Sequence, residues 1–316
     1  MGTAVYEDVL KIFPVSVRAL FKNAAFQYEQ LQEIRMRSGR PLCVRYQGRE
    51  CLLTAAGEGT NCVRDAFCVN DRQLQETLQL ASGYSLYSYE EEIRQGYFTI
   101  RGGHRIGVAG KVIVEGGTIR GIRYITCMNI RLSHQVRGCA APVLPYLLDR
   151  NGRLYHTLIL SPPRCGKTTL LRDLIRLLSY GSGDAPGRTV GVVDERSEIA
   201  GCYMGVPQND LGIRTDVLDC CPKAEGMMLL IRTMSPEIVA VDEIGSAADA
   251  EAIESAIHCG CRVLATAHAE NLEEIQRKPI MSACLSNRLF ERFVILQPAA
   301  CGRVREILNE EGERLC

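Results

Sequence analysis

Apolar and polar positions in the first half of the chain alternate over short runs and, near the start, follow helical spacing. The alternating runs predict strands at residues 42–46, 97–100, 106–114 and 119–125. A turn at Gly116 and Gly117 joins the last two strands, because paired glycines suit a hairpin. Helical spacing predicts a helix over residues 5–35, and Asn70 predicts the cap of a second helix that ends near Ser82. The first half is therefore predicted to be α+β.

The second half instead alternates buried strands with amphipathic helices. Strands are predicted at 156–160, 189–193, 238–241 and 262–265, and helices at 168–180, 222–234 and 246–258. This alternation predicts a parallel sheet with helices on both faces, whose ligands bind at the carboxyl ends of the strands. Residues 129–148, which include Pro142 and Pro145, are expected to connect the two halves. We therefore expect a smaller α+β domain at 1–135 and an α/β domain at 136–316.

The first strand of the second half leads into a glycine-containing loop that opens a helix, the setting of a P-loop. The candidate phosphate-binding residues are Pro162, Pro163, Arg164, Cys165, Gly166, Lys167, Thr168 and Thr169. Lys167 would neutralise the β- and γ-phosphates of ATP, and the hydroxyl of Thr168 would bind Mg²⁺. Ser161 stands where the usual motif has its first glycine, so a side chain must fit at a sharp turn.

Two further strands end in pairs of carboxylates. Asp242 and Glu243 follow a buried strand about 75 residues after the P-loop, where Asp242 would ligate Mg²⁺ and Glu243 would act as the catalytic base. The alternative is that this pair caps the helix at 246–258. Asp194 and Glu195 end another strand and are further candidate metal ligands.

A histidine follows the next predicted strand. His268 should lie near the γ-phosphate and could sense it through a hydrogen bond. Considered alone, a histidine after a strand is an ordinary polar loop residue. Its place after the P-loop and the carboxylate pair favours a role in catalysis.

Charge distribution and cysteine content indicate which partners and which cellular compartment suit the chain. The net charge is zero, yet residues 1–150 carry 19 Lys/Arg and 14 Asp/Glu (+5), against 18 and 23 (−5) in residues 151–316. This asymmetry suits self-association or a nucleotide held between domains, and scatter is the alternative. The 15 cysteines form no CxxC pair, so we expect no zinc site and a reduced cytoplasmic protein. Without a signal peptide or an apolar run of about 20 residues, any membrane attachment would be peripheral.

Five sequence blocks resemble the secretion-type ATPases of the type II, type IV pilus and type IV secretion systems, and more narrowly a sporulation family within that superfamily. The blocks span residues 33–41, 103–110, 162–173, 208–216 and 222–226. The resemblance implies a RecA-like P-loop NTPase domain after the α+β domain. It also implies a ring homo-oligomer, a hexamer, with ATP and Mg²⁺ bound between subunits and between domains.

The same resemblance implies a place of action and further site residues. The sporulation proteins act in the mother cell, where they energise a secretion-like channel with membrane-embedded components. Arginines of the N-terminal domain reach the nucleotide in this superfamily. Arg101, Arg105, Arg123 and Arg131 are the matching candidates, of which Arg105 and Arg131 are preferred. The alternative is that these arginines are solvated strand charges.

The sequence departs from the superfamily around this carboxylate pair, where residues 242–246 stand in place of the usual Gly-Glu-Ile-Arg-Asp. It gains the metal carboxylate of Asp242 and, at Gly245, loses the usual arginine. Two other functions therefore stay open beside a motor that drives a channel. One is a RecA-like ATPase that acts on nucleic acid, although no excess of basic charge predicts such a partner. The other is a scaffold that binds ATP in order to assemble but does not hydrolyse it.

Overall fold

The computed structural model describes residues 7–24, 26–182, 185–297 and 302–316. The chain divides into two compact units, an N-terminal unit of Met1–His134 and a C-terminal unit of Gln135–Cys316. Among the described residues, no helix combines the length and the hydrophobicity that crossing a bilayer requires.

A seven-stranded antiparallel sheet forms most of the N-terminal unit. Its strands are β1 (Leu31–Arg37), β3 (Cys43–Tyr46), β4 (Arg49–Leu53), β5 (Gly59–Thr60), β7 (Tyr97–Ile100), β8 (His104–Glu115) and β9 (Thr118–Arg131), in the order β5-β4-β3-β1-β9-β8-β7. Two short strands, β2 (Arg40–Pro41) and β6 (Cys68–Val69), pair separately. Residues 7–10 are helical, and further helices of this unit are Val15–Asn23, Asp71–Ala81 and Glu90–Arg94, with 3₁₀ turns at Tyr28–Gln30 and Leu86–Tyr89.

The two faces of this sheet differ in chemistry, because successive side chains of a strand point to opposite sides. One face is apolar and buried: Ile34, Met36, Val44, Ile106, Val108, Met128 and Ile130. On the other face, Glu33, Arg131 and Arg105 occupy one row across β1, β9 and β8. The N-terminal unit therefore presents a charged sheet face.

The structure contradicts the predicted helix over residues 5–35. Residues 7–10 are helical and the Val15–Asn23 helix follows, but Leu31–Arg37 is the central strand β1. Residues 5, 6 and 25 lie outside the described residues. The pairing of β1 with β9, about 95 residues later in the chain, decides its conformation over local helical spacing.

Two local predictions for the N-terminal half, the helix cap at Asn70 and the turn at Gly116 and Gly117, are confirmed. Asn70 caps the Asp71–Ala81 helix by accepting a hydrogen bond from the backbone N–H of Gln73, whose side chain bonds back to Asn70. Gly116 and Gly117 both adopt positive φ in the turn between β8 and β9. Local signals were sufficient for both features, because a cap and a hairpin turn depend on residues that are adjacent in sequence.

A buried histidine holds the end of the N-terminal unit in place. His104 is 1% exposed, and its Nδ1 accepts a hydrogen bond from the backbone N–H of Ser133 at 3.0 Å. The Tyr28 hydroxyl lies 3.4 Å from its Nε2, and the neighbouring His134 bonds the carbonyl of Leu31. Burial, and then the charge of His134, lower the pKa of His104 from 6.5 to about 4. The histidine is thus neutral in the folded protein at neutral pH.

We expect the N-terminal unit to lose stability as the pH falls from about 6.5 to about 4. In this window the unfolded chain protonates residue 104 while the folded chain does not, so protons favour unfolding. The shift in the pKa of His104 lowers the free energy of unfolding by on the order of 3 kcal/mol across this pH range. The measurement is urea unfolding of the full chain across this pH range.

The matched variants are His104→Asn and His258→Asn. Asparagine at position 104 keeps an acceptor for Ser133 but removes the titrating ring, so the pH dependence should become shallower. It should not vanish, since burial also lowers the pKa of His156 in the C-terminal unit to about 4. His258 is exposed and should change nothing. An unchanged slope for His104→Asn would contradict the assignment.

The C-terminal unit contains the predicted parallel sheet. Its strands are β10 (Thr157–Ser161), β13 (Val190–Asp194), β14 (Thr215–Asp219), β15 (Ile238–Val241), β16 (Arg262–His268), β17 (Arg292–Leu296) and β18 (Val304–Asn309), in the order β14-β13-β15-β16-β10-β17-β18. All pairs are parallel except β17 with β18. Two short strands, β11 (Gly181–Ser182) and β12 (Ala185–Pro186), pair with each other in antiparallel orientation and lie outside this sheet.

Helices cover both faces of this sheet. They are Leu144–Leu147, Lys167–Tyr180, Lys223–Met234, Ala247–His258, Leu272–Gln276 and Pro279–Ser286. One core contains Leu158 and Val241 with the Lys223–Met234 and Ala247–His258 helices, and the other contains Ile159 with the Lys167–Tyr180 helix. Successive residues of β10 thus enter different cores, which explains why Leu158, Ile159 and Leu160 are all apolar.

Candidate active site

The loop between β10 and the Lys167–Tyr180 helix has the backbone form expected of a phosphate-binding turn. Arg164 and Gly166 both adopt positive φ, and Gly166 precedes the first helical residue. Ser161 fits where the motif usually has glycine, since it ends β10, is fully buried and donates its hydroxyl to the carbonyl of Pro162 at 2.8 Å. Cys165 is buried, with Sγ 3.6 Å from the carbonyl of Pro163.

Lys167 is a buried ammonium at the start of that helix. It is 5% exposed, and its Nζ donates to the carbonyl of Ser161 at 3.4 Å and to Nδ1 of His268 at 2.9 Å. Burial lowers its pKa, against the opposing charges of Asp242 and Glu243. The register explains the histidine contact, because Ser161 and His268 are directly paired at the carboxyl ends of β10 and β16.

Asp242 links the P-loop helix to the central strands. Its Oδ2 accepts a hydrogen bond from the Thr168 hydroxyl at 2.5 Å, and its Oδ1 accepts one from the Thr266 hydroxyl. The pairing of β15 with β16 brings Thr266 to this position. Thr266 is a contact that sequence reasoning missed, although a polar residue within an otherwise apolar run was a signal for it. In the structure Thr266 is fully buried.

Glu243 is held in a strained conformation beside Asp242. Its φ is +53°, unusual for a residue other than glycine, and its N–H donates to Thr266 Oγ1 at 2.9 Å. One carboxylate oxygen lies 3.0 Å from Nε2 of His268, and the other lies 3.1 Å from Nη1 of Arg196. The alternative role as a helix cap is wrong, because Ser246 caps the Ala247–His258 helix.

Asp194 organises the loop that follows β13. It is 2% exposed, and its two oxygens accept the backbone N–H groups of Glu198, Ile199 and Ala200 at 2.7–2.9 Å. Burial raises its pKa to about 6 despite these bonds. With both oxygens engaged by backbone donors, the geometry favours support of the loop over the predicted role of metal ligand.

The block at residues 222–226, which the resemblance singled out, meets the site through Lys223. Lys223 forms an ion pair with Glu195, the other candidate metal ligand after β13. Three residues later, Gly226 lies so close to β13 that a Cβ there would stand 2.5 Å from a methyl group of Val193. The glycine thus allows this helix to pack tightly on the strand that carries Asp194 and Glu195.

The block at residues 208–216 supports the chain that enters the C-terminal unit. The side chain of Gln135 exchanges two hydrogen bonds with the backbone of Asp210, and Arg137 lies 3.3 Å from the Asp210 carboxylate. Tyr180, at the end of the P-loop helix, donates its hydroxyl to the same carboxylate at 3.1 Å. The block therefore ties the first residues of this unit to that helix.

The preferred arginines of the N-terminal unit lie together on its charged sheet face. Arg105 and Arg131 are directly opposite each other on β8 and β9. The guanidinium of Arg105 stacks 4.1 Å from the ring centroid of Tyr97, and Arg131 is opposite Glu33 on β1. Burial would raise the pKa of Glu33, but hydrogen bonds from Arg35 and Asn129 and nearby arginine charges lower it. Contact of these arginines with nucleotide stays a prediction.

Within the C-terminal unit, many of the predicted residues line one cleft of about 430 Å³. Asp194, Glu195 and Asp242 instead line a neighbouring pocket, which shares Arg196, Glu198 and Glu243 with the cleft. It is lined by Pro163, Arg164, Gly166, Lys167, Thr168, Thr169, Arg196, Glu198, Glu243 and His268. Within the described ranges, no group of three or more His, Cys, Asp or Glu side chains is arranged to hold a metal ion by itself. Mg²⁺ in nucleotide sites usually takes one or two carboxylates and completes its shell with phosphate and water. The oxygens of Thr168 and Asp242 suit that arrangement.

Comparison with known proteins agrees with this architecture. The family described as "Sporulation stage III, protein AA" matches residues 4–315. Stage III sporulation protein AA of Bacillus subtilis (strain 168) is 42% identical over 310 residues, which cover 98% of this chain and 96% of the relative.

Solved structures share the fold at low sequence identity. The Legionella pneumophila ATPase DotB superposes with a TM-score of 0.59 at 16% identity, over 93% of this chain and 80% of DotB. The pilus retraction motor PilT, solved with bound ADP, gives a TM-score of 0.57 at 13% identity, over 91% of this chain and 77% of PilT. The chain has an α/β RecA-like fold that it shares with these two proteins, and it belongs to the sporulation stage III protein AA family.

Proposed function

We propose that the C-terminal unit binds ATP with Mg²⁺ in the cleft at the P-loop and hydrolyses it. One observation carries the proposal: the buried Lys167 ammonium, the Thr168–Asp242 contact of 2.5 Å and the Glu243 carboxylate lie in one cleft region at the strand ends. Phosphate charge, metal and attacking water each find a suitable group there.

Phosphate binding rests on the loop and the helix that follows it. The backbone N–H groups at the start of the Lys167–Tyr180 helix are free of partners within the helix and favour an anion. Lys167 would leave His268 for the β- and γ-phosphates. Thr168 and Asp242 would hold Mg²⁺, which supplies positive charge that neutralises the phosphates during the reaction.

Hydrolysis requires a base and a way to stabilise charge. Glu243 would accept a proton from water as the water oxygen bonds the γ-phosphorus. The bond from that phosphorus to the bridging oxygen breaks, and the electron pair leaves with ADP. Lys167 would stabilise the negative charge on the transferred group. His268 would orient the Glu243 carboxylate through its Nε2–H.

The biological role extends this chemistry. We propose a ring homo-oligomer, a hexamer, in which Arg105 and Arg131 reach a bound nucleotide. Their directly opposed strand positions place two guanidinium groups side by side on one face, an arrangement that suits the oxygens of a phosphate group. The family and the secretion ATPase fold support a motor that energises a secretion-like channel in the mother cell. It would associate peripherally with membrane-embedded components of that channel.

Steady-state phosphate release from Mg·ATP by the purified full chain tests the proposal. We expect release that stops when EDTA removes Mg²⁺ and that falls in Glu243→Gln. Binding of ATP without any phosphate release, alone or with membrane components of the complex, would favour the scaffold instead. Salt-dependent binding of single-stranded nucleic acid that stimulates release would favour a nucleic-acid motor.

A further inference from the structure

The carboxylate of the proposed base is held on both sides by groups of the same unit. Arg196 Nη1 lies 3.1 Å from Oε2 of Glu243, and His268 Nε2 lies 3.0 Å from Oε1. Each oxygen of the Glu243 carboxylate thus has a nitrogen neighbour, a guanidinium group on one side and an imidazole on the other. Both carboxylate oxygens are therefore already engaged in contacts, and a water molecule to be activated would have to replace one of them.

The chain of contacts continues to the P-loop lysine. Lys167 Nζ is 2.9 Å from Nδ1 of His268. Since an ammonium group can only donate, Nδ1 accepts and the histidine proton is on Nε2, from which it donates to Glu243. Arg196, Glu243, His268 and Lys167 therefore form one connected series, here called the latch. The latch occupies the two groups that ATP hydrolysis needs, the base and the lysine.

The backbone around Arg196 is held firmly while its side chain reaches into the cleft. Asp194 accepts three backbone N–H groups from the loop that follows Arg196. Arg172, on the P-loop helix, donates to the carbonyls of Glu198 and Ile199 at 2.7–2.8 Å. The Arg196 side chain is nevertheless 67% exposed. Because the backbone of the loop is fixed and the side chain of Arg196 is long, the guanidinium group can change partners without movement of the loop.

Stability of the fold does not account for the Arg196–Glu243 pair. An ion pair with one member this exposed contributes little to folding. The pair also lines the same cleft as Lys167, Thr168 and Thr169. A phosphate group that enters this cleft carries more negative charge than a carboxylate and offers a guanidinium group bidentate contact.

We propose that Arg196 exchanges its partner when ATP binds, from Glu243 to the γ-phosphate. The γ-phosphate would draw Lys167 from His268 in the same event. Glu243 is then released as a base only when the phosphate to be attacked is present. ADP lacks this phosphate and leaves Arg196 on Glu243. Arg196 is thus the residue that distinguishes ATP from ADP. This inference rests on the proposed function.

The test measures the affinities of Mg·ADP and of the magnesium complex of the β,γ-imido analogue of ATP by titration calorimetry. In Arg196→Gln we expect the imido analogue to bind roughly tenfold or more weakly, the usual loss for a charged hydrogen bond to phosphate. ADP affinity should stay within about twofold. Arg196→Lys should recover part of the loss, because it restores the charge without the bidentate geometry.

Two further variants sharpen the result. Arg305→Gln removes an exposed arginine that also pairs with a glutamate, Glu306, in the C-terminal unit, and it should match the wild type. In a Glu243→Gln background, Arg196→Gln should still weaken binding of the imido analogue, because the contact with phosphate does not need Glu243.

The outcomes separate the two proposals. A wild-type chain that neither binds nor hydrolyses nucleotide refutes the proposed function and the inference with it. A wild type that hydrolyses ATP, beside an Arg196→Gln variant with unchanged preference between the two nucleotides, overturns the role of Arg196 alone. A faster turnover of Arg196→Gln at unchanged affinities also overturns it, since Arg196 would then only restrain Glu243.

Discussion

Replacing Lys167 with alanine is expected to abolish binding of ATP and to weaken binding of ADP. Lys167 is a buried cation at the start of the P-loop helix, and without it the phosphates would keep only the backbone dipoles of the loop. ATP loses charge-assisted contacts to its β- and γ-phosphates, which weakens binding by about 100-fold or more, and ADP loses the contact to its β-phosphate, which weakens binding by about tenfold or more. Titration with Mg·ADP and Mg·ATP measures the loss, and a sporulation assay should show loss of function in parallel.

A second variant at position 167 tests whether the loss of nucleotide binding results from misfolding. Lys167→Met keeps the length and the buried hydrocarbon of the side chain while removing its charge, so it should fold and still fail to bind. Lys11→Ala removes an exposed lysine that pairs with Asp8 and should bind as the wild type does. Thermal unfolding of all three reports whether they fold. Wild-type affinity in a folded Lys167→Met would refute the P-loop assignment.

The C-terminal unit was predictable because its strands and helices carry their own periodic signals. Four buried strands and three helices lie within one or a few residues of the predicted bounds. The edge strand β14 was missed, since its residues are only half-buried and their pattern is weak. Strands β17 and β18 were also missed, although Arg292–Leu296 is an apolar run of strand length. The predicted N-terminal helix is wrong over β1, because the conformation of β1 depends on pairing with the distant strand β9.

At the site, the sequence could indicate which residues meet but not which contacts they make. Parallel strands bring their carboxyl ends to one edge, so Asp194, Asp242 and His268 were expected there. The three backbone donors of Asp194 depend on a loop conformation in which Ser197 adopts positive φ. The partner of Glu243 in that loop, Arg196, is 47 residues away in sequence. A contact between residues so far apart in sequence can be inferred only when the order of the strands in the sheet is known.

The largest effect on turnover is expected from Glu243→Gln. Glutamine keeps the side-chain size and an oxygen that can accept the His268 hydrogen bond, but it cannot take a proton from water. Mg·ATP should bind at least as tightly as in the wild type, because Arg196 no longer has a charged competitor for the γ-phosphate, while the rate of hydrolysis falls by about 10²–10⁴-fold, the usual contribution of a general base. Trapped ATP should also hold subunits together, because the arginines would keep contact with a γ-phosphate that is never lost. Sedimentation with and without ATP measures this association.

Mixing this variant with Arg105→Ala tests whether the arginine serves a neighbouring subunit. Alone, neither variant has a complete site. If Arg105 acts in trans, an Arg105→Ala subunit has an intact Glu243 that completes a site with the intact Arg105 of a Glu243→Gln neighbour. A random 1:1 ring should then recover about a quarter of the sites. If both residues serve one subunit's nucleotide, mixing recovers nothing. Arg120→Ala, an exposed arginine on the same hairpin, is the control and should remain active alone. Absence of recovery would refute the trans arrangement and leave the ATPase proposal standing.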